Sequence, residues 1–186
     1  MPPKIAKRIL ISLMVAGVIE SLGNSMMRVA LPLIRDTFQI QADMTAWVAA
    51  IFTLPLVILM PVYGRLSDGL GKRPLILAGL FIFAVGSLMT LLSPSLGWLM
   101  AGRAIQGIGA SGMMPMSMAL ISDVFSTSER GKALGTWGSV GPATGFFSPL
   151  IAGLLVAAGG WRAAFGPQLA VSIIALFVVY KGIPDR

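Results

Sequence analysis

The chain has 186 residues, of which 56% are apolar and 11% charged, with a formal charge of +7 and a mean hydropathy of +0.86. Soluble domains carry about 25% charged residues, so a water-soluble globule is excluded at the outset. Cysteine and histidine are both absent, which removes disulfides, thiol or imidazole metal ligands and histidine-based catalysis from the chemistry of this chain.

A helix needs about 20 mostly apolar residues to cross about 30 Å of hydrocarbon, and the chain has room for about six such crossings. The first is expected over 9–31 and closes at Pro32; the second covers 46–63 and the third 75–92. The fourth covers 98–122, after Ser93-Pro94-Ser95, the fifth 133–157 and the sixth 163–179, separated by Gly159-Gly160-Trp161-Arg162. The expected fold is therefore an all-α membrane protein in which residues 1–186 form a single six-helix transmembrane bundle. The basic start and long apolar run do not form a cleavable signal, because that run is too long and contains Glu20, Asn24 and Arg28.

Basic residues follow loop parity. Lys4, Lys7, Arg8, Arg65, Lys72, Arg73, Arg130, Lys132, Lys181 and Arg186 fall on one side of the predicted topology, and only Arg35 and Arg162 on the other. This asymmetry places both termini in the cytoplasm. It also argues against nucleic acid as a partner, since phosphate-binding residues cluster on one folded face rather than alternating with crossings.

In chain order, the first chemistry-bearing group is Glu20, Asn24 and Arg28, at successive i+4 steps on one stripe of helix one. An ionised carboxylate at mid-membrane costs at least about 2.5 kcal/mol, so this stripe is expected to face protein or water. Glu20 then has two readings: a structural ion pair, with Arg103 as partner across the bundle, or a titrating group in a transport pathway. Next comes the charged turn Gly64-Arg65-Leu66-Ser67-Asp68-Gly69-Leu70-Gly71-Lys72-Arg73-Pro74, read as a clamp between neighbouring helices. Helix four carries Arg103 and Gln106 on one face, beside Gly107 and Gly109. Helix five carries Gly141-Pro142-Ala143-Thr144-Gly145, where a bend or close contact is expected.

Two motif matches are declined. Gly107-Ile108-Gly109-Ala110-Ser111-Gly112 has the spacing of a dinucleotide fingerprint but lies inside an apolar helix with no strand before it, where small residues serve close helix contact. Gly71-Lys72 lacks the first glycine and the following Ser or Thr of a phosphate loop.

From about Ile9 to Pro184 these motifs, in this order, resemble the amino-terminal half of the major facilitator superfamily, specifically its drug:proton antiporter branch. The turn looks like that family's loop between helices two and three, with Gly64, Asp68, Gly71, Lys72 and Arg73 at its spacing. Arg103, Gln106, Gly107 and Gly109 match its helix-four motif, and Gly141, Pro142 and Gly145 the core of its helix-five motif. The chain departs from the pattern in helices one and five: Gly23 stands where fourteen-helix members carry an acid, with Glu20 one turn earlier, Arg28 occupies a place often held by asparagine, and Trp137 and Phe146 replace favoured glycines.

The resemblance implies a membrane transporter rather than an enzyme, moving an organic solute out of a bacterial cell across its inner membrane. It uses the proton gradient and no cofactor. Glu20, Asn24, Arg28, Arg103 and Gln106 would form the proton and substrate pathway. The turn bearing Gly64, Arg65, Asp68, Gly71, Lys72 and Arg73 would be the gate, Asp68 accepting from a helix amino end of an opposite bundle. The family pairs two six-helix bundles around a midplane site. This chain is therefore expected to be a fragment, a half that pairs with a separate second bundle, or a two-fold homodimer, with membrane lipid and the solute as further partners. The alternative is a truncated or accessory membrane protein without transport of its own.

Overall fold

The computed structural model describes residues 2–184; Arg186, counted above among the basic residues, lies outside them. The described residues form α1 (Pro3–Phe38), α2 (Ala42–Ala50), α3 (Thr53–Leu70), α4 (Lys72–Leu91), α5 (Leu96–Ala110), α6 (Met113–Val124), α7 (Thr127–Gly138), α8 (Val140–Ala163) and α9 (Gly166–Gly182), with no strand among them. Several of these are consecutive pieces of one crossing. Ala42–Leu70, Lys72–Leu91, Leu96–Val124 and Thr127–Ala163 are each long and apolar enough to span a membrane, Gly166–Gly182 is a shorter apolar helix, and α1 runs for 36 residues.

Proline sets where the pieces divide. A proline has no N–H to offer the carbonyl four residues earlier. Pro55, Pro115, Pro142 and Pro167 thereby leave the carbonyls of Ile51, Ser111, Gly138 and Ala163 without that donor, and the helix is interrupted at or beside each of these positions. Pro32, Pro61 and Pro149 are carried inside helices without an interruption. The Gly159-Gly160 punctuation appears as a kink, Gly160 adopting φ 72° and ψ −177°.

The helices run past most of the ends read from hydropathy, and the largest difference falls at the charged turn. Residues 64–70 are not a loop: they complete α3, and α4 opens at Lys72, leaving Gly71 alone as the connection. Polar residues lengthen a helix at no solvation cost once it has left the hydrocarbon. The 64–74 segment is thus a helix end with charged side chains rather than an independent hairpin.

The core has two apolar clusters with a polar layer between them. On α1 the first cluster takes Ile9, Leu13, Ala16 and Ile19, and the second Leu22, Met26, Met27, Ala30 and Ile34. The same division recurs on the helices packed around it. Leu80 and Phe83 precede Ser87 on α4, Leu99 and Ala110 bracket Arg103 and Gln106 on α5, and Phe165 and Ala175 bracket Gln168 and Ser172 on α9. α4 packs on α5 through glycines: a Cβ at Gly109 would lie 2.5 Å from the Gly79 carbonyl oxygen, and one at Gly86 2.7 Å from the Gly102 carbonyl oxygen. The glycine run on helix four thus serves close helix approach. Outside, Phe81, Leu88, Phe146, Leu150, Leu154, Ile173 and Phe177 are exposed, a surface suited to acyl chains rather than water.

Candidate functional site

Glu20, Asn24 and Arg28 share one face of α1, as their spacing predicts, and that face lines an open groove of about 510 Å³ between α1 and the α7–α8 segment. Ser21, Ser25, Trp137, Gly141, Gly145 and Met114 are also among its lining residues. The walls are pinned by two hydrogen bonds: Ser21 Oγ donates to the Gly141 carbonyl at 3.0 Å, and Trp137 Nε1 to the Leu13 carbonyl at 3.3 Å. A Cβ at Gly141 would meet nothing within 4 Å, so the first bond does not depend on that glycine, and a Cβ at Gly145 would lie 3.7 Å from the same serine's Oγ. Pro142 is exposed on the outer side of α8, three residues after the interruption at Ser139.

Arg103 and Gln106 lie elsewhere. Both are fully buried in the polar layer, and neither lines the groove. Arg103 Nη1 donates to the Gly23 carbonyl at 3.1 Å and to Gln106 Oε1 at 3.0 Å, and the guanidinium lies 4.5 Å from the centre of the Phe52 ring. The expected ion pair between Arg103 and Glu20 is therefore not formed; among the described residues no carboxylate is within salt-bridge distance of Arg103. The reason lies in the geometry of α1. Gly23 has no side chain, so Arg103 reaches the main chain directly, while Glu20 projects from the stripe that faces the groove. Nε and Nη2 of Arg103 find no acceptor among the described residues.

The polar layer continues from Gln106, whose Nε2 donates to Ser87 Oγ at 2.8 Å and to Gln168 Oε1 at 2.7 Å. Ser87 Oγ in turn donates to the Phe83 carbonyl at 2.8 Å. One connected set of side chains thus joins α1, α4, α5 and α9 where apolar packing alone would leave register loose. Ser87 and Gln168 escaped the reading of the sequence; the available signal was a lone polar residue at a buried helical position, which for Gln168 recurs with Ser172, Ala175 and Val179 on one stripe.

At the charged end, Lys72 Nζ meets Asp123 Oδ2 at 2.7 Å. Arg73 donates to the Tyr180 carbonyl at 2.9 Å with its guanidinium 5.3 Å from that ring's centre, and Arg130 donates to the Ser122 carbonyl at 2.7 Å. The start of α4 is so tied to α6 and α9 around a cavity of about 190 Å³, which Ser67 at the end of α3 also lines. Asp123 is the partner that the motif alone did not reveal. Gly64 is within helical α3, where its carbonyl accepts from Ser67 Oγ at 2.6 Å, and Arg65 and Asp68 are exposed. No group of His, Cys, Asp or Glu among the described residues is arranged to hold a metal ion.

The family profile described as Major Facilitator Superfamily matches residues 13–186. The riboflavin transporter RibZ of Clostridioides difficile (strain 630) is 31% identical over 176 residues, covering 95% of this chain and 39% of that protein. The multidrug transporter protein MdtP of Bacillus subtilis (strain 168) is 31% identical over 185 residues, covering 98% of this chain and 34% of that protein. The chain thus spans little more than a third of the length of these relatives. Among solved structures, the proton:xylose symporter XylE bound to 6-bromo-6-deoxy-D-glucose superposes with a TM-score of 0.88 at 13% identity, over all of this chain and 46% of that one; this likeness is one of fold.

Proposed function

Because the chain belongs to the major facilitator superfamily, and is a membrane-transporter chain rather than an enzyme, we propose that it is the amino-terminal six-helix half of a proton-coupled exporter of amphipathic organic solutes. What supports this reading above all is the groove, which holds a carboxylate, an amide and a guanidinium on one face of α1, with Glu20 in no ion pair among the described residues. A carboxylate so placed takes up or releases a proton as its hydration changes. Loading and unloading then couple to solute moving along Asn24, Arg28, Met114 and Trp137. The proton gradient supplies the energy, and no cofactor takes part.

The face bearing Glu20 and Arg28 would be expensive to expose to lipid, so a second six-helix bundle, from a separate or continuous chain or from a second copy, closes the groove in the working assembly. Asp68, exposed and without a partner among the described residues, is offered to a helix amino end of that bundle and acts as the gate. In this reading the charged end faces the cytoplasm, in keeping with the positive-inside rule, with both termini there and the protein in a bacterial inner membrane. Arg103 and Gln106 serve as the buried support of α1 behind the groove, a role coarser than direct contact with solute.

The test is reconstitution of this chain with a complementary carboxy-terminal bundle in proteoliposomes, following substrate-driven proton flux. Flux is expected only with both halves and is lost in Glu20→Gln. If the assembled pair moves no solute, or Glu20→Gln keeps wild-type flux, the exporter reading fails and the chain is an accessory membrane protein without transport of its own.

A further inference from the structure

At the charged end of the bundle, the start of α1 and the end of α9 enclose a groove of about 440 Å³ that plays no part in the site above. Four of its nine lining residues are cationic (Lys4, Lys7, Arg8 and Lys181), and none is acidic. At this end Lys72 meets Asp123, and Arg73 and Arg130 donate to main-chain carbonyls, while Arg65 and Lys132 are exposed and line no part of this groove. Lys4, Lys7 and Arg8 have no such partner among the described residues, and Lys181 has only the Phe177 ring, 4.2 Å away. Four like charges around one concavity repel one another unless an anion enters.

The rest of the lining says which anion. Ile11, Phe177 and Val178 form an apolar wall, and Ile11 and Phe177 are 49% and 60% exposed on the outer surface of the bundle. The floor is fixed by close packing. Gly182 leaves space only for Ser12, a Cβ there overlapping the serine hydroxyl, and Ser12 Oγ donates to the Val178 carbonyl at 3.3 Å. A soluble anion would use the cations and waste the apolar wall. A molecule with an anionic head and a hydrocarbon tail uses both, and the groove opens where such molecules are most concentrated.

We propose that this groove is a binding site for an anionic phospholipid, its phosphate held among Lys4, Lys7, Arg8 and Lys181 and an acyl chain laid along Phe177 and Val178. The bound lipid neutralises the cluster and bridges α1 to α9. It thereby supports the helix that carries Glu20 at its amino-terminal end, apart from the polar layer at its middle. The site does not depend on transport, so it stands or falls separately from the exporter reading.

The full chain in mild detergent is examined by native mass spectrometry and thermal unfolding with phosphatidylglycerol, phosphatidylcholine or inorganic phosphate added. Phosphatidylglycerol is expected to be retained in preference to phosphatidylcholine and to raise the unfolding temperature, with retention falling as salt is added. Lys7→Gln with Lys181→Gln should weaken that retention roughly thirty-fold, whereas Arg35→Gln with Lys132→Gln, an equal loss of charge elsewhere, should not. Equal retention of the two lipids, protection by inorganic phosphate alone, or indifference to the Lys7 and Lys181 changes would each overturn the proposal. Should the double variant fail to fold, the lipid preference and salt response of the unaltered chain decide it.

Discussion

Gln106 donates from Nε2 to Oε1 of Gln168 at 2.7 Å, so that two fully buried amides tie the middle of α5 to the start of α9. In hydrocarbon such a bond has no water to replace it, yet measured values are modest because the separated helices find other partners. Gln168→Leu is therefore expected to lower stability by about 1 kcal/mol while helix content stays unchanged. Unfolding in a graded denaturing detergent, followed by circular dichroism, checks both numbers.

Arg103 makes a sharper prediction because its positive charge has no anionic partner among the described residues. It is held by two neutral oxygens and the face of Phe52. Removing one member of a buried ion pair strands the other and costs about 3–5 kcal/mol, but here nothing charged is stranded. Arg103→Met should therefore leave stability close to the parent or above it, and any loss of solute flux in the assembled transporter would be a loss of function rather than of fold. A fall of several kcal/mol in the same unfolding measurement would mean that a carboxylate pairs with Arg103 in the folded protein.

The connection between α3 and α4 depends on one residue. Gly71 takes φ 85° and ψ 156°, a region open essentially to glycine alone, so Gly71→Ala should cost about 1–3 kcal/mol. Gly69, two residues earlier, is helical with open space around its Cβ position, and Gly69→Ala should be neutral or stabilising by up to about 1 kcal/mol. Opposite signs from two glycines of one motif separate a conformational requirement from a general need for small residues.

The Lys72–Asp123 pair is the visible cross-link of that end, yet its side chains are 28% and 54% exposed. Exposed pairs are worth about 0–1 kcal/mol. A double-mutant cycle with Lys72→Gln and Asp123→Asn should give a coupling in that range, falling as salt is raised.

The crossings and the polar stripe of α1 were legible because both follow from local sequence: apolar length for the first, a 3.6-residue repeat for the second. The glycine contacts of helix four were legible for a related reason, since few other uses exist for that density of small residues inside an apolar helix. What could not be read was direction across the bundle. Arg103 reaches Gly23 rather than Glu20 because of how α1 is rotated against α5, and no spacing within either helix encodes that rotation. Asp123 and Gln168 were hidden in the same way, as single polar residues whose partners lie 51 and 62 positions away in the chain. The charged turn was misjudged because glycine and charge usually end helices, whereas here α3 continues through the mostly exposed residues 65–70 before Gly71 stops it.

Contact between α4 and α5 leaves no space for added atoms. A Cβ at Gly109 would meet the Gly79 carbonyl oxygen and the Phe83 main-chain nitrogen, each at 2.5 Å, and one at Gly86 the Gln106 main-chain nitrogen at 2.7 Å. These are backbone atoms, which cannot swing aside as a side chain would, so relief requires the helices to separate. Overpacking a close-packed interior costs typically about 1–3 kcal/mol, and Gly109→Ala or Gly86→Ala should each fall in that range. The two should not behave alike in a second respect. Gly86 packs on the Gln106 side chain and backbone, so Gly86→Ala also displaces the amide that bonds Ser87 and Gln168; combining it with Gln168→Leu should cost less than the sum of the two. Gly109 lies one turn further along, outside the hydrogen-bonded set, and its combination with Gln168→Leu should be additive within about 0.5 kcal/mol. Additivity in the first pair would mean that α4 and the amide network are energetically independent in spite of their contact.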